Sequence, residues 1–342
     1  MIFFPDWSDL GSISSEQRLF WEDELSVRAK AFGYYSGAIF QERVSDLENI
    51  GGSDEEAPLM YPVGVNLVRM MCLAQADALF GEWDENIVQF TPKDDENEKE
   101  NVKKAIDILN DILHFSDMNS ALWEIALDGQ IYGGGVMKMT ANLSKYGTRV
   151  KWSRVPLNNF FPIFDPTDPN RITEAYVVTP MTVEQAKNNF GFGEATGKDT
   201  VFLVEHWTET MYETKIEDRV ISTYSGMNPY GVVPFVYIPR YRTHHVWGAS
   251  LTEEVIDIQD ELNARLADLS ESINYNSHPV RWGRNLPKNF NEKNFPINPN
   301  AMWNLGRQIG DGPIPEVGLM NGAPVPESSF KYINFLYDFS RV

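Results

Sequence analysis

The sequence holds one cysteine, Cys72, in 342 residues. No disulfide can close within the chain, and no cysteine-rich zinc site can be built from it. Positive charge is also scarce: 29 Lys and Arg stand against 49 Asp and Glu, a formal net charge of −20. A protein that grips nucleic-acid phosphates needs a cationic face, and this balance argues against one. It still suits a protein that stays close to a polyanion without adhering to it. Long apolar runs are missing. The longest uncharged stretch, residues 220–239, carries Pro229, Pro234 and Pro239 with Gly226 and Gly231, so it reads as strands and turns and not as a membrane span. The first residues, Met1-Ile2-Phe3-Phe4-Pro5-Asp6, show neither the basic nor the apolar segment of a secretory signal. The reading is a soluble chain made in a reducing cytoplasm. No internal repeat of about 20 to 50 residues is visible, which disfavours solenoids and propellers.

What is present is an ordinary globular composition, 42% apolar and 23% charged, with length for two or three domains. Leu19, Phe20, Leu25, Val27, Ala31 and Phe32 suit one face of a helix over 15–35. Residues 51–56 read as a loop. Residues 63–80 are apolar nearly all round, which predicts a buried helix stopped by Gly81. A charge-dense stretch over 94–104 leads into a helix with Val102, Ala105, Ile106, Leu109, Ile112 and Leu113 on one face. A further helix over 120–131 ends at Gly133-Gly134-Gly135. Strands rich in Val, Ile, Tyr, Phe and Trp follow at 136–141, 149–155, 172–179, 201–208 and 232–238, with a short helix at 183–189. The Pro-rich segment 161–169 reads as a structured loop.

The clearest element spans 250–275. Ser250 and Glu253 form a capping-box sequence. Leu251, Val255, Ile258, Leu262, Leu266, Leu269 and Ile273 then recur in steps of three and four, a narrow seam for packing against neighbouring helices. Away from the seam lie Glu253, Glu254, Asp257, Asp260, Glu261, Asp268 and Glu271, with Arg265 the only basic residue among them. Such a run is either a solvated face or a surface that faces another polyanion and weakly repels it. Beyond it, 278–284 and 301–305 read as short strands. Pro326 opens a last helix with Phe330, Ile333, Leu336 and Tyr337 apolar.

Motifs of catalysis are weak. Gly197-Lys198 lacks the P-loop's first glycine, since Phe192 stands there, and Asp199 replaces its hydroxyl. The triple glycine follows a helix and so lacks the dinucleotide-binding context. His244 and His245 are adjacent and point apart on a strand, a poor chelating pair. Glu205, in Glu205-His206-Trp207, and Asp165 are the carboxylates that a sugar hydrolase would use, but nothing sets one opposite the other.

Read in order, several segments resemble the portal proteins of tailed bacteriophages, in particular those of siphophages of Gram-positive hosts. They are Phe32-Gly33-Tyr34-Tyr35-Ser36-Gly37, Asn66-Leu67-Val68 through Ala78-Leu79-Phe80-Gly81, and Ala126-Leu127-Asp128-Gly129-Gln130-Ile131-Tyr132-Gly133. Val155-Pro156-Leu157-Asn158-Asn159-Phe160-Phe161-Pro162 follows. The most specific set is Gly231-Val232-Val233-Pro234-Phe235, then Trp247-Gly248-Ala249-Ser250-Leu251, then Ile258-Gln259-Asp260-Glu261-Leu262-Asn263.

The resemblance implies an α+β fold: a mixed wing over 1–246, a first stem helix over 247–277, a small α/β clip over 278–325 and the start of a second stem helix over 326–342. It places the family's crown and tunnel loop outside this chain. It implies a homo-oligomeric ring, a dodecamer, passing double-stranded DNA at one capsid vertex. The expected partners are terminase, a head-tail adaptor, and the major capsid or scaffolding protein; no cofactor, metal, membrane or catalysis is expected. Assembly belongs to the host bacterial cytoplasm and the product to the virion. Glu253, Glu254, Asp257, Asp260, Glu261 and Asp268 become tunnel-facing candidates, and Arg281 and Arg284 candidates for partner contact in the clip. The alternatives are a carbohydrate-active hydrolase or sugar-binding protein, and another virion or tail structural protein.

Overall fold

The computed structural model describes residues 15–39, 64–80, 100–108, 118–144, 147–168, 170–192, 199–217, 219–243, 246–277, 280–285, 316–320 and 325–339. The chain forms two compact units. One gathers the described residues of Met1–Glu42 and Asn66–Gln259; the other gathers those of Arg43–Val65 and Asp260–Val342. The expected readings at 51–56, 94–99, 109–113, His244, His245 and 301–305 lie outside the described residues.

In the first unit, helices α1 (Ser15–Ser36), α2 (Leu67–Phe80) and α3 (Met118–Tyr132) precede most of the strands, and residues 100–108 are also helical. Strands β1 (Gly134–Ser144), β2 (Gly147–Val155) and β9 (Phe235–Pro239) make an antiparallel sheet in the order β2-β1-β9. The larger sheet runs β3 (Phe160–Phe164), β4 (Ile172–Thr182), β5 (Thr200–Thr208), β6 (Met211–Ile216) and β7 (Arg219–Val220), with β8 (Gly226–Met227) also paired to β6. Helix α4 (Val183–Phe190) leaves β4 through a capping box between Thr182 and Gln185 and stops at Gly191 in the left-handed region. Gly191 is therefore the stop of this helix, and Gly197 and Lys198 lie outside the described residues.

Alternation along β4 and β5 loads both faces of the larger sheet. On one face Tyr176, Val178 and Val204 pack with Phe161 beneath Trp21 and Leu25 of α1. On the other, Ala175, Val177 and Trp207 meet Val136, Val155 and Phe235 of the smaller sheet. Lys138 of β1 bridges the two sheets, pairing with Glu205 while its ammonium lies 5.2 Å from the Trp207 ring centre. Asp128 of α3 holds Arg154 of β2 through two hydrogen bonds of 2.5 and 2.7 Å.

Three expectations change. The segment 161–169 is not wholly loop, because Phe160–Phe164 is an edge strand; Pro162, with no N–H to donate, is tolerated at an edge. In α1 the buried stripe is Trp21, Leu25, Arg28, Ala31 and Tyr34, while Leu19, Phe20, Val27 and Phe32 are exposed. In α2, which starts at Leu67, Met70 and Leu79 are exposed, so the helix is buried on one side only. Strand β6 was not expected from the sequence, while Val220 of β7 and all of β8 fall in the stretch 220–239 read as strands and turns.

In the second unit, β10 (Val280–Arg284) and β11 (Glu316–Met320) pair antiparallel, setting Arg281 opposite Leu319 and Arg284 opposite Glu316. Gly318 is needed there: a Cβ would meet the Trp282 ring at 2.6 Å. Helix α6 (Glu327–Phe339) buries Leu336. Tyr332 donates to Glu261 at 3.3 Å, beside a groove of about 450 Å³ lined by Arg265, Leu269 and Ile333. Among the described residues, no helix is long and apolar enough to cross a membrane.

Candidate functional site

The site is built around α5 (Leu251–Ser277), the longest helix described. Its start is fixed from both sides of Ser250. The Ser250 hydroxyl accepts from the Glu253 N–H at 3.0 Å, and the Ser250 N–H reaches back to the Glu253 carboxylate at 3.4 Å. Two of the helix's otherwise unsatisfied groups are met in this way. Upstream, Gly248 donates its N–H to the Tyr237 hydroxyl at 3.0 Å, and Ala249 donates to the Tyr241 carbonyl at 3.2 Å. Burial of the Tyr237 phenol pushes its pKa up to about 12, so it stays neutral in this role.

The seam is buried at Leu251, Val255 and Leu262, half-buried at Ile258, Leu266 and Leu269, and exposed at Ile273. A second stripe beside it, Thr252, Ile256, Gln259 and Asn263, is also buried. The apolar spacing missed it because three of its four members are polar. Gln259 accepts from the N–H groups of Leu67 and Val68 at 2.7 and 3.2 Å, capping the start of α2. Asn66, the residue before α2, accepts from Arg69 N–H and donates to the carbonyls of Tyr34 and Tyr35 at the end of α1. Asn263 accepts from the N–H of Val65 at 3.1 Å. Thr252 lies 3.9 Å from the Cys72 sulfur, whose pKa burial raises to about 11, which makes it an inert thiol. The Gln of the segment 258–263 thus caps α2, and its Asn ties the residue two before the helix.

At about 100° per residue, the seven carboxylates fall in a sector of about 120° opposite the seam. Their neutralisation is uneven. Arg240, nearly buried, reaches both Glu254 oxygens at 3.2 Å. Arg265 pairs with Glu261 at 2.8 Å and with Asp268 at 3.0 Å, and the Glu261 bond raises its pKa. Glu253 serves the capping box, Asp257 is exposed, and Asp260 is half-exposed. Arg284 is exposed on β10; Arg281 lies on the same strand, its side chain outside the described residues.

The carboxylates considered for sugar hydrolysis are occupied otherwise. Glu205 binds Lys138 and accepts from the Trp207 indole at 3.0 Å. Asp165 accepts from the Thr167 side chain and backbone, which lower its pKa, whereas an acid catalyst needs a carboxyl held protonated.

The molecule is of the α+β class, with its clearest functional element a capped acidic helix and no assembled catalytic pair among the residues described. The family model for phage portal protein, SPP1 Gp6-like, matches residues 34–322, and the chain belongs to that family. The family is one of phage portal proteins. No curated protein matches the chain.

Proposed function

We propose that the chain closes into a ring, a dodecamer, whose channel passes double-stranded DNA at one capsid vertex during packaging, head-tail joining and ejection. In this reading residues 1–246 are the wing, 247–277 the first stem helix, 278–325 the clip and 326–342 the start of the second stem helix. The observation that carries it is the placement of α5's carboxylates opposite its packed face. A channel wall must not hold phosphates, and a negative wall repels them weakly. Glu253, Glu254, Asp257, Asp260, Glu261 and Asp268 would face the tunnel. Arg281 and Arg284 would contact terminase or a head-tail adaptor, and the wing would meet the major capsid or scaffolding protein. Assembly takes place in the host bacterial cytoplasm.

Negative-stain electron microscopy with light-scattering mass tests the ring. Top views with a central hole at about twelve chain masses are expected. Ile273, the exposed seam position, is the place to probe closure: Ile273→Asp should leave a folded chain that no longer forms rings. Leu262→Asp should unfold the helix packing itself, because Leu262 is 2% exposed within its own chain. A folded monomer from wild type, or normal rings from Ile273→Asp, would count against the ring or the seam respectively.

A further inference from the structure

Arg28 is 3% exposed, yet its charge is poorly answered. Its Nη1 donates to the Leu157 carbonyl at 2.7 Å, and the guanidinium lies 4.4 Å from the Trp247 ring centre. Nε and Nη2, which share one edge of the guanidinium, have no hydrogen-bond partner and are shielded from bulk solvent. Glu24 stands 3.9 Å from Nε, beyond hydrogen-bond reach. Burial lowers the Arg28 pKa to about 10, which leaves it charged at neutral pH. Beside Arg28 opens a cleft of about 220 Å³, with Val27, Ile131 and Trp247 as apolar walls; Tyr132 and two carboxylates also line it, Glu24 and Glu253, the latter held by the Ser250 N–H and hydroxyl.

We propose that this cleft binds an aliphatic carboxylate of the size of an Asp or Glu side chain. The unpartnered edge of Arg28 is the edge that takes both oxygens of a carboxylate side by side. The apolar walls suit a short methylene stem. Entry turns the Glu24 side chain outward, and the incoming carboxylate answers a buried cation that now costs the fold stability. The carboxylate is carried either on a side chain of a second copy of this chain or on a free acid.

The probe is glutarate, titrated into the purified full chain by calorimetry, with neutral glutaramide as control. Saturable glutarate binding with no glutaramide binding is expected. Arg28→Lys should weaken it about tenfold or more. Val27→Trp fills the cleft mouth from a position 45% exposed, so it should block binding without unfolding the chain. Glu24→Gln should tighten binding, since it removes the lining carboxylate that stands beside Arg28 Nε. Absence of saturable binding, binding unchanged in Val27→Trp, or binding weakened by Glu24→Gln overturns the proposal. The source is read by adding glutarate to assembled oligomers. A fall in light-scattering mass assigns the carboxylate to a second copy, and binding at constant mass assigns it to a free acid. Neither outcome depends on the number of subunits in a ring.

Discussion

Gly133 and Gly248 stand backbone against backbone: a Cβ on Gly133 would lie 2.1 Å from the Gly248 carbonyl oxygen, and one on Gly248 would lie 2.2 Å from the Gly133 oxygen. Gly133 also has φ of +88°, which a side chain resists. The contact fixes the approach to α5, because Gly248 is two residues before its Ser250 cap and Gly133 accepts from the Arg240 N–H at 2.8 Å. Gly248→Ala must move backbone on both sides. It should cost about 3 kcal/mol or more, measured by urea unfolding. A loss within a few tenths of a kcal/mol would mean that the two segments are not in contact.

Gln259 makes a second testable join. Gln259→Leu keeps the volume but leaves the Leu67 and Val68 N–H groups without their buried acceptor. The expected loss is about 2 kcal/mol, with faster amide exchange at Leu67 and Val68 than elsewhere in α2. Uniform exchange along the helix would remove the capping role.

Tyr132 gives the alkaline response a defined sign. Burial raises its pKa from 10 to about 12, so the folded state keeps a proton that the unfolded chain releases. Its contribution is complete below pH 10 and is lost as pH rises through 12. Arg28, lowered from 12.5 to about 10, acts in the opposite direction over the same range. Arg28 is present in both wild type and Tyr132→Phe, and its attraction to Tyr132 is the smallest contribution to either shift, so the comparison isolates mainly the phenol. Relative to Tyr132→Phe, wild type should lose about 3 kcal/mol across that window. Parallel stability curves would show that the phenol is not buried.

Asp257 is the cleanest test of the acidic face, since Glu254 is tied to Arg240 and Glu261 to Arg265. Asp257→Lys should leave thermal stability within about 0.5 kcal/mol, as an exposed substitution does. It should slow DNA packaging in a reconstituted head. Unchanged packaging by Asp257→Lys, together with Glu254→Lys and Glu261→Lys, would return the face to simple solvation.

Much of the fold was legible along the chain. The Ser250–Glu253 cap, the seam from Leu251, the strands at 136–141 and 201–208, and the Pro326 helix start are all local signals. They depend on neighbours three or four residues away, or on alternation within one strand. The edge strand Phe160–Phe164 was hidden by Pro162, since an edge position excuses the missing N–H and only the sheet order reveals an edge.

The amino-acid order by itself determined most of the helices, the strands with clear alternation and the acidic sector of α5, because each is a matter of spacing along one helix or strand; the family pattern lay in the order of its segments. The tertiary structure decided which groups meet. Nothing along the chain singles out Arg28, which is buried beside Trp247. Gln259 and Asn263 stand in the segment 258–263 quoted for the resemblance, and only packing makes Gln259 the cap of α2 and Asn263 the acceptor of the Val65 N–H. Gly133, read as part of a helix end, and Gly248, read at the start of the next long helix, are unrelated until their backbones touch. Such pairings join residues far apart in the chain, and their energies come from burial and hydrogen bonds that only packing creates.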